Sequence, residues 1–153
     1  MVVLLAFAEP GFAGDKTYTV IDLGTLGGTI SVASAVNNAG QVVGWSQDAD
    51  GHTHAFLWEY GGMRSLGALP GGTNSEATDI NNRGEIVGHA ERAEDCGGST
   101  LVTHAFLYDG LAMNDMNVVS GCSSRAWGIN DRSFIVGWAY PPDVSVVRGF
   151  LFG

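Results

Sequence analysis

Residues 48 to 54 read Asp-Ala-Asp-Gly-His-Thr-His. Asp50, His52 and His54 recur at every second position, so in an extended strand the three side chains share one face. One carboxylate with two imidazoles is a zinc-type ligand set that leaves a coordination position open. Asp48, Asp50 and Gly51 also resemble part of a calcium loop, where hard carboxylate oxygens surround the ion. The candidate metal ligands are therefore Asp48, Asp50, His52 and His54, with calcium or zinc as the metal. The other reading of the same residues is a solvated acidic hairpin tip. His104 repeats the His-Ala-Phe context of His54, so His52, His54 and His104 are the candidate catalytic bases near neutral pH. A metal held there would polarise a carbonyl and activate water, which points to hydrolysis of a lactone or ester. Arg148 stands where a third such histidine would fall, which weakens a shared metal site.

Other chemistries are excluded more firmly. The sequence contains no G-x-S-x-G, no H-E-x-x-H, no phosphate-binding glycine loop and no dinucleotide fingerprint. No C-x-x-C is present, so a four-thiol zinc site and a thioredoxin-like motif fall away. No organic cofactor is expected. The net charge is −9, from 16 acidic and 7 basic residues, and such a surface repels nucleic acid. No apolar run approaches the length of a membrane span. The expected partner is a small molecule or a carbohydrate. Trp45 and Trp138 supply aromatic faces that could stack on sugars, unless they are core residues.

The elements that must position these residues are written three times. SAVNNAGQVVGWS (34–46), TDINNRGEIVGHA (78–90) and WGINDRSFIVGWA (127–139) align, with Asn37, Asn81 and Asn130 in register at steps of 44 and 49 residues. HAFLW from His54, HAFLY from His104 and RGFLF from Arg148 follow them. DLGTLGG from Asp22 and SLGALPGG from Ser65 precede the first two, and a degenerate DMNVVSGC runs from Asp115. The apolar runs are short and β-branched, and Asn-Asn-x-Gly between two of them signals a hairpin. Asn37-Asn38, Asn81-Asn82 and Asn130-Asp131 would gather at one pole if the first strands line an axis. Their oxygens then suit either turn chemistry or a calcium ion.

Four short strands per repeat is the size of a propeller blade. The expected fold is all-β, with units at about 29–67, 73–118 and 123–153 plus 17–24. The strand Tyr18 to Gly24 would complete the third unit beside Phe150. Three units could close as a three-sheet array or form half of a homodimeric six-bladed propeller. A β-trefoil is the alternative.

The ordered set Ile-Asn-Asn-x-Gly-x-Ile-Val-Gly, His-Ala-Phe-Leu-Trp and Leu-Gly-x-Leu-x-Gly-Gly-x-x-Ser resembles the HAF-repeat family of probable extracellular bacterial proteins. The resemblance covers residues 18 to 153, and the third unit departs from it at Arg148-Gly149 and Ser133. It implies export and a β-repeat fold, and it implies no reaction.

Residues 1–14 contain the apolar run VVLLAFA and small-residue cleavage patterns at Ala6-Phe7-Ala8 and Phe12-Ala13-Gly14, which suit the end of a signal peptide. Lys16 is the first basic residue, and an apolar first strand is the other reading. The expected location is secreted or periplasmic, with residues 15–153 as one domain. Cys96 and Cys122 either form a disulfide or remain two free thiols. Two functions follow: a secreted β-repeat module for binding or extracellular structure, or a small metal-dependent lactone or ester hydrolase.

Overall fold

A computed structural model describes residues 6–7, 18–96, 99–118, 123–141 and 146–153. Every regular element in them is a β-strand. The first unit holds β3 (Gly27–Val36), β4 (Val42–Asp48), β5 (Thr53–Glu59) and β6 (Gly62–Ser65), paired in that order. The second holds β7 (Ser75–Ile80), β8 (Ile86–Cys96), β9 (Ser99–Tyr108) and β10 (Met113–Asp115), again a meander. The third holds β11 (Ser123–Ile129), β12 (Ile135–Tyr140) and β13 (Arg148–Phe152). A parallel pair, Ser123 with Thr103, joins the third unit to the second in one sheet. The protein is thus all-β, with two principal sheets. No helix among the described residues is long and apolar enough to cross a membrane.

The turns follow from the asparagines. The Asn81 carbonyl accepts the Gly84 N–H at 3.1 Å, and the side-chain oxygen of Asn81 accepts the Arg83 and Glu85 N–H groups at 3.0 Å each. Gly40 and Gly84 take φ of 77° and 81°, a region that favours glycine. Ser133 holds the same place in the third unit at φ 62°, and its hydroxyl donates to Glu85 Oε2 at 2.6 Å.

The Val-Gly of each second strand has a different cause. A Cβ on Gly44, Gly88 or Gly137 would lie 2.0 to 2.1 Å from the carbonyl oxygen of Val32, Glu76 or Arg125 on the adjoining first strand. The first strands bulge over these points, between Ala33 and Ala35, Ala77 and Asp79, and Ala126 and Gly128. A Cβ at Gly88 would also meet the Phe106 ring at 2.9 Å, so the phenylalanine of the HAF motif packs onto the bare backbone.

The core lies between units. Val43 and Leu57 of the first unit pack with Ala77 and Ile80 of the second. Val87 of the second packs with Ala126, Ile129 and Ile135 of the third. Two hydroxyls repeat along the same joints. Ser75 Oγ accepts the Ala55 N–H at 2.9 Å, and Ser124 Oγ accepts the Ala105 N–H at 3.0 Å.

Two expectations are corrected. β2 (Tyr18–Thr19) pairs with β1 (Ala6–Phe7), while β13 lies at the end of its sheet with β12 as its described neighbour. The pairing of residues 18–24 beside Phe150 is therefore absent from the described residues, and the three-sheet closed array does not form. The physical reason is that β1 lies close to β2 along the chain, whereas a closure beside Phe150 would span nearly all of it. Most of the proposed leader, and the Cys96–Cys122 question, lie outside what is described.

Gly88→Ala should destabilise the protein by about 2 kcal/mol or more, because the clash is with backbone that cannot turn aside. Urea unfolding measures it, and an unchanged midpoint would show that the crossing yields.

Candidate functional site

The hairpin between β4 and β5 carries the proposed ligands. Asp48 Oδ1 accepts the N–H groups of Asp50 at 3.0 Å and His52 at 2.9 Å. Asp48 Oδ2 lies 3.0 Å from His54 Nε2 and 3.6 Å from His52 Nδ1. Burial works to raise the Asp48 pKa, but the His52 amide, the His54 ring and the Asp50 amide outweigh it and lower the carboxyl below its usual value.

Ligand atoms of Asp48, Asp50 and His52 lie within 4.8 Å of one another, and His54 is not in that group. β5 begins at Thr53, so Asp50 and His52 precede the strand and the shared extended face does not form. The cause is the Asp48–Gly51 turn, in which the Gly51 N–H donates to the Asp48 carbonyl at 3.2 Å. The three residues that do converge offer calcium or zinc two carboxylates and an imidazole. The Asp48 carboxylate is already engaged by the turn.

His104 belongs to β9 in the second unit and is buried. Its Nδ1 lies 3.0 Å from Asp115 Oδ2, and Arg92 pairs with the same carboxylate. Burial would raise the Asp115 pKa, but the Asn117 amide, Arg92 and His104 together lower it. The structure brings His52 and His54 together at Asp48 and keeps His104 with Asp115. In both units the HAF histidine is tied to a carboxylate, supplied once by a hairpin and once by a fourth strand.

The inner turns do gather. Asn37 Nδ2 donates to the Asn81 carbonyl at 3.0 Å, and Asn81 Nδ2 to the Asn130 carbonyl at 3.1 Å. The Asn38 N–H donates to Asn82 Oδ1 at 2.8 Å, and the Asn82 N–H to Asp131 Oδ1 at 2.9 Å. The oxygens considered for calcium are thus engaged in a ladder from turn to turn.

His89 is a further imidazole available as a base near neutral pH, and the structure places it in a second polar site with Glu76 and Arg125. Asn74, Glu76, His89, Glu91, Thr103 and Arg125 line most of a cleft of about 130 Å³ where the second and third units meet. His89 Nε2 lies 3.7 Å from Glu76 Oε2, and the Arg125 guanidinium sits 5.8 Å from the Trp138 ring centroid. His89 is 8% exposed, and its Nδ1 and the Nε of Arg125 are buried without a hydrogen-bond partner among the described residues. Burial first, and then the Arg125 charge, push the His89 imidazole down to about 4. The sequence signal lay in repeat register: Val32, Glu76 and Arg125 are equivalent, and so are Trp45, His89 and Trp138. The two tryptophans are half-buried, neither core nor open faces.

No protein-family model, curated protein or solved structure matches this chain.

An imidazole protonates near 6.5 when free and at about 4 in the folded protein. Between these values the unfolded chain binds more protons. The contribution of His89 is therefore fully present above pH ~6.5 and is lost as pH falls toward 4. Relative to His89→Gln, the wild type should lose urea stability over that window. A pH-independent difference between the two proteins would overturn this assignment.

Proposed function

We propose that this chain is a secreted or periplasmic β-repeat module of the HAF-repeat kind, serving binding or extracellular structure. Its units are propeller-like blades, and three of them make an open arc. Each unit's strands form a meander whose apolar residues pack against those of the next unit, which supports blades over the β-trefoil. One observation carries the functional reading: the recurring residues are spent on joints. Asn37, Asn81 and Asn130 link the turns, and Ser75 and Ser124 link the faces. Asn74, Glu76, His89, Glu91 and Arg125, polar groups that do not recur, converge on the His89 cleft. Neutral imidazole, guanidinium, carboxylate and amide together suit the hydroxyls of a carbohydrate or of a small polar molecule.

The metal-dependent hydrolase is a second reading, favoured by the convergence of Asp48, Asp50 and His52. Calcium or zinc there would activate water toward a lactone or ester, with His54 as base. His104, beside Asp115, would not share that centre.

One set of measurements separates the two. Calorimetric titration with mono- and oligosaccharides should show binding that Arg125→Ala weakens at least ~10-fold, while urea stability changes little. The same protein should hydrolyse neither lactones nor esters. Chelator-sensitive turnover, lost in Asp50→Asn with His54→Ala, would establish the hydrolase instead.

A further inference from the structure

The joints between units have a direction. A unit gives its successor four things: a side-chain amide, two backbone N–H groups and an apolar face. Asn37 Nδ2 donates to the Asn81 carbonyl, the Asn38 N–H to Asn82 Oδ1, and the Ala55 N–H to Ser75 Oγ. The second unit treats the third in the same way. The donor end of this series is therefore the third unit, at Asn130, Asp131 and Gly149. The acceptor end is the first unit, at Asn37, Asn38 and Ser31.

The Ser31 hydroxyl is already oriented for that role. It donates to the Gly24 carbonyl at 2.7 Å, as the Ser75 hydroxyl donates to the Gly67 carbonyl.

The apolar faces end in the same way. Val43 and Val87 are fully buried by the following unit, whereas their equivalent Val136 is 48% exposed. Leu57 is 3% exposed and its equivalent Leu151 is 71% exposed. Trp127, equivalent to the Thr78 whose hydroxyl reaches the Ala126 carbonyl of the next unit, is also exposed. At the opposite end, Ile80 and Ile129 are buried by the preceding unit, and their equivalent Val36 is 65% exposed. One end thus presents the face that the other end is shaped to cover, as the two internal joints show.

We propose that the third unit of one copy seats against the first unit of a second copy, and reciprocally, so that two copies close a ring of six units. The occupant of each bare face is the same chain because the complementary halves of the joint are both written in it. Two copies are the number that suits closure. Three units fall below the usual four to eight blades of a propeller, six lie within that range, and nine lie beyond it. Head-to-tail contacts close into rings when the rotation completes a turn. The proposal rests on the reading of the units as blades and is independent of what the His89 cleft binds.

Sedimentation of the whole chain between about 1 and about 100 µM reads the association, over the upper part of the range that interfaces of ordinary size span. The expected mass is twice the 16.0 kDa chain. Leu151→Glu and Val36→Glu, each at an exposed position and on opposite faces, should each raise the dissociation constant at least ~30-fold. Mixing the two variants should restore a dimer, because one joint then has both faces intact. Leu111→Glu, on the exposed tip of a hairpin away from both faces, should change nothing. Trp127→Thr and Val136→Asp repeat the test on the third unit, with far-UV circular dichroism confirming the fold.

A wild type that stays monomeric throughout would overturn the proposal and leave the faces to another occupant, such as further units of the same polypeptide. A Val36→Glu protein that still dimerises normally would also overturn it, since it would show the third units meeting each other. Open polymers in place of dimers would overturn the closed ring. Saccharide binding that fails while dimers persist would sink only the ligand reading.

Discussion

In each unit the carbonyl oxygen of the first strand lies where the β-carbon of the second-strand glycine would stand. The separations are 2.0 Å for Val32 over Gly44, 2.0 Å for Glu76 over Gly88 and 2.1 Å for Arg125 over Gly137. No side chain fits that gap, and most of the rest depends on it. The first strand bulges as it crosses, and the bulge increases its local twist. Ala77 and Ala126 are thereby presented to the preceding unit, and the phenylalanine ring of the third strand settles against the bare backbone. Removing water from Val43, Leu57, Val87 and Ile129 at these joints supplies the apolar stabilisation, at roughly 25 cal/mol for each Å² covered.

A single kind of turn accounts for both the ladder and the histidine brace. Asn37, Asn81, Asn130 and Asp48 each use one side-chain oxygen to accept the N–H groups two and four residues on. They differ in what the other side-chain atom can do. An amide nitrogen must donate, and in Asn37 and Asn81 it donates to the next turn's carbonyl. A carboxylate oxygen must accept, and in Asp48 it meets His54. The same oxygens that look like calcium ligands in the sequence are spent on folding the hairpins. A metal at Asp48 would have to compete with backbone N–H groups that need no desolvation to stay where they are.

The period, the hairpins and the strand character were legible because each rests on local chemistry. Asn-Asn-x-Gly specifies its own turn, and positive φ at Gly40 and Gly84 follows from residue type. What lay between units was not legible. Val36, Ile80 and Ile129 are the same kind of residue in the same register, yet only the first is mostly exposed. Position in the array decides that, and no window of sequence contains it. The partner of Tyr18–Thr19 was misjudged for the same reason, since two short strands can satisfy each other locally at less entropic cost than a closure across the whole chain. The face expected to join Asp50, His52 and His54 failed because the turn at Asp48 begins before the strand does.

Repetition also indicates where binding chemistry can reside. A position that must serve every joint is constrained to one residue type, so it cannot be altered for a ligand without loosening the array. Positions that face a joint without closing it are free to diverge. Val32, Glu76 and Arg125 differ in charge at one such position, and Trp45, His89 and Trp138 differ in polarity at another. Their second- and third-unit members Glu76, His89 and Arg125 line the cleft at the seam between those units, with Trp138 beside Arg125. An imidazole kept neutral by burial costs stability that an apolar residue there would not. That cost falls where the repeat is free to vary, while the residues that recur hold the turns together.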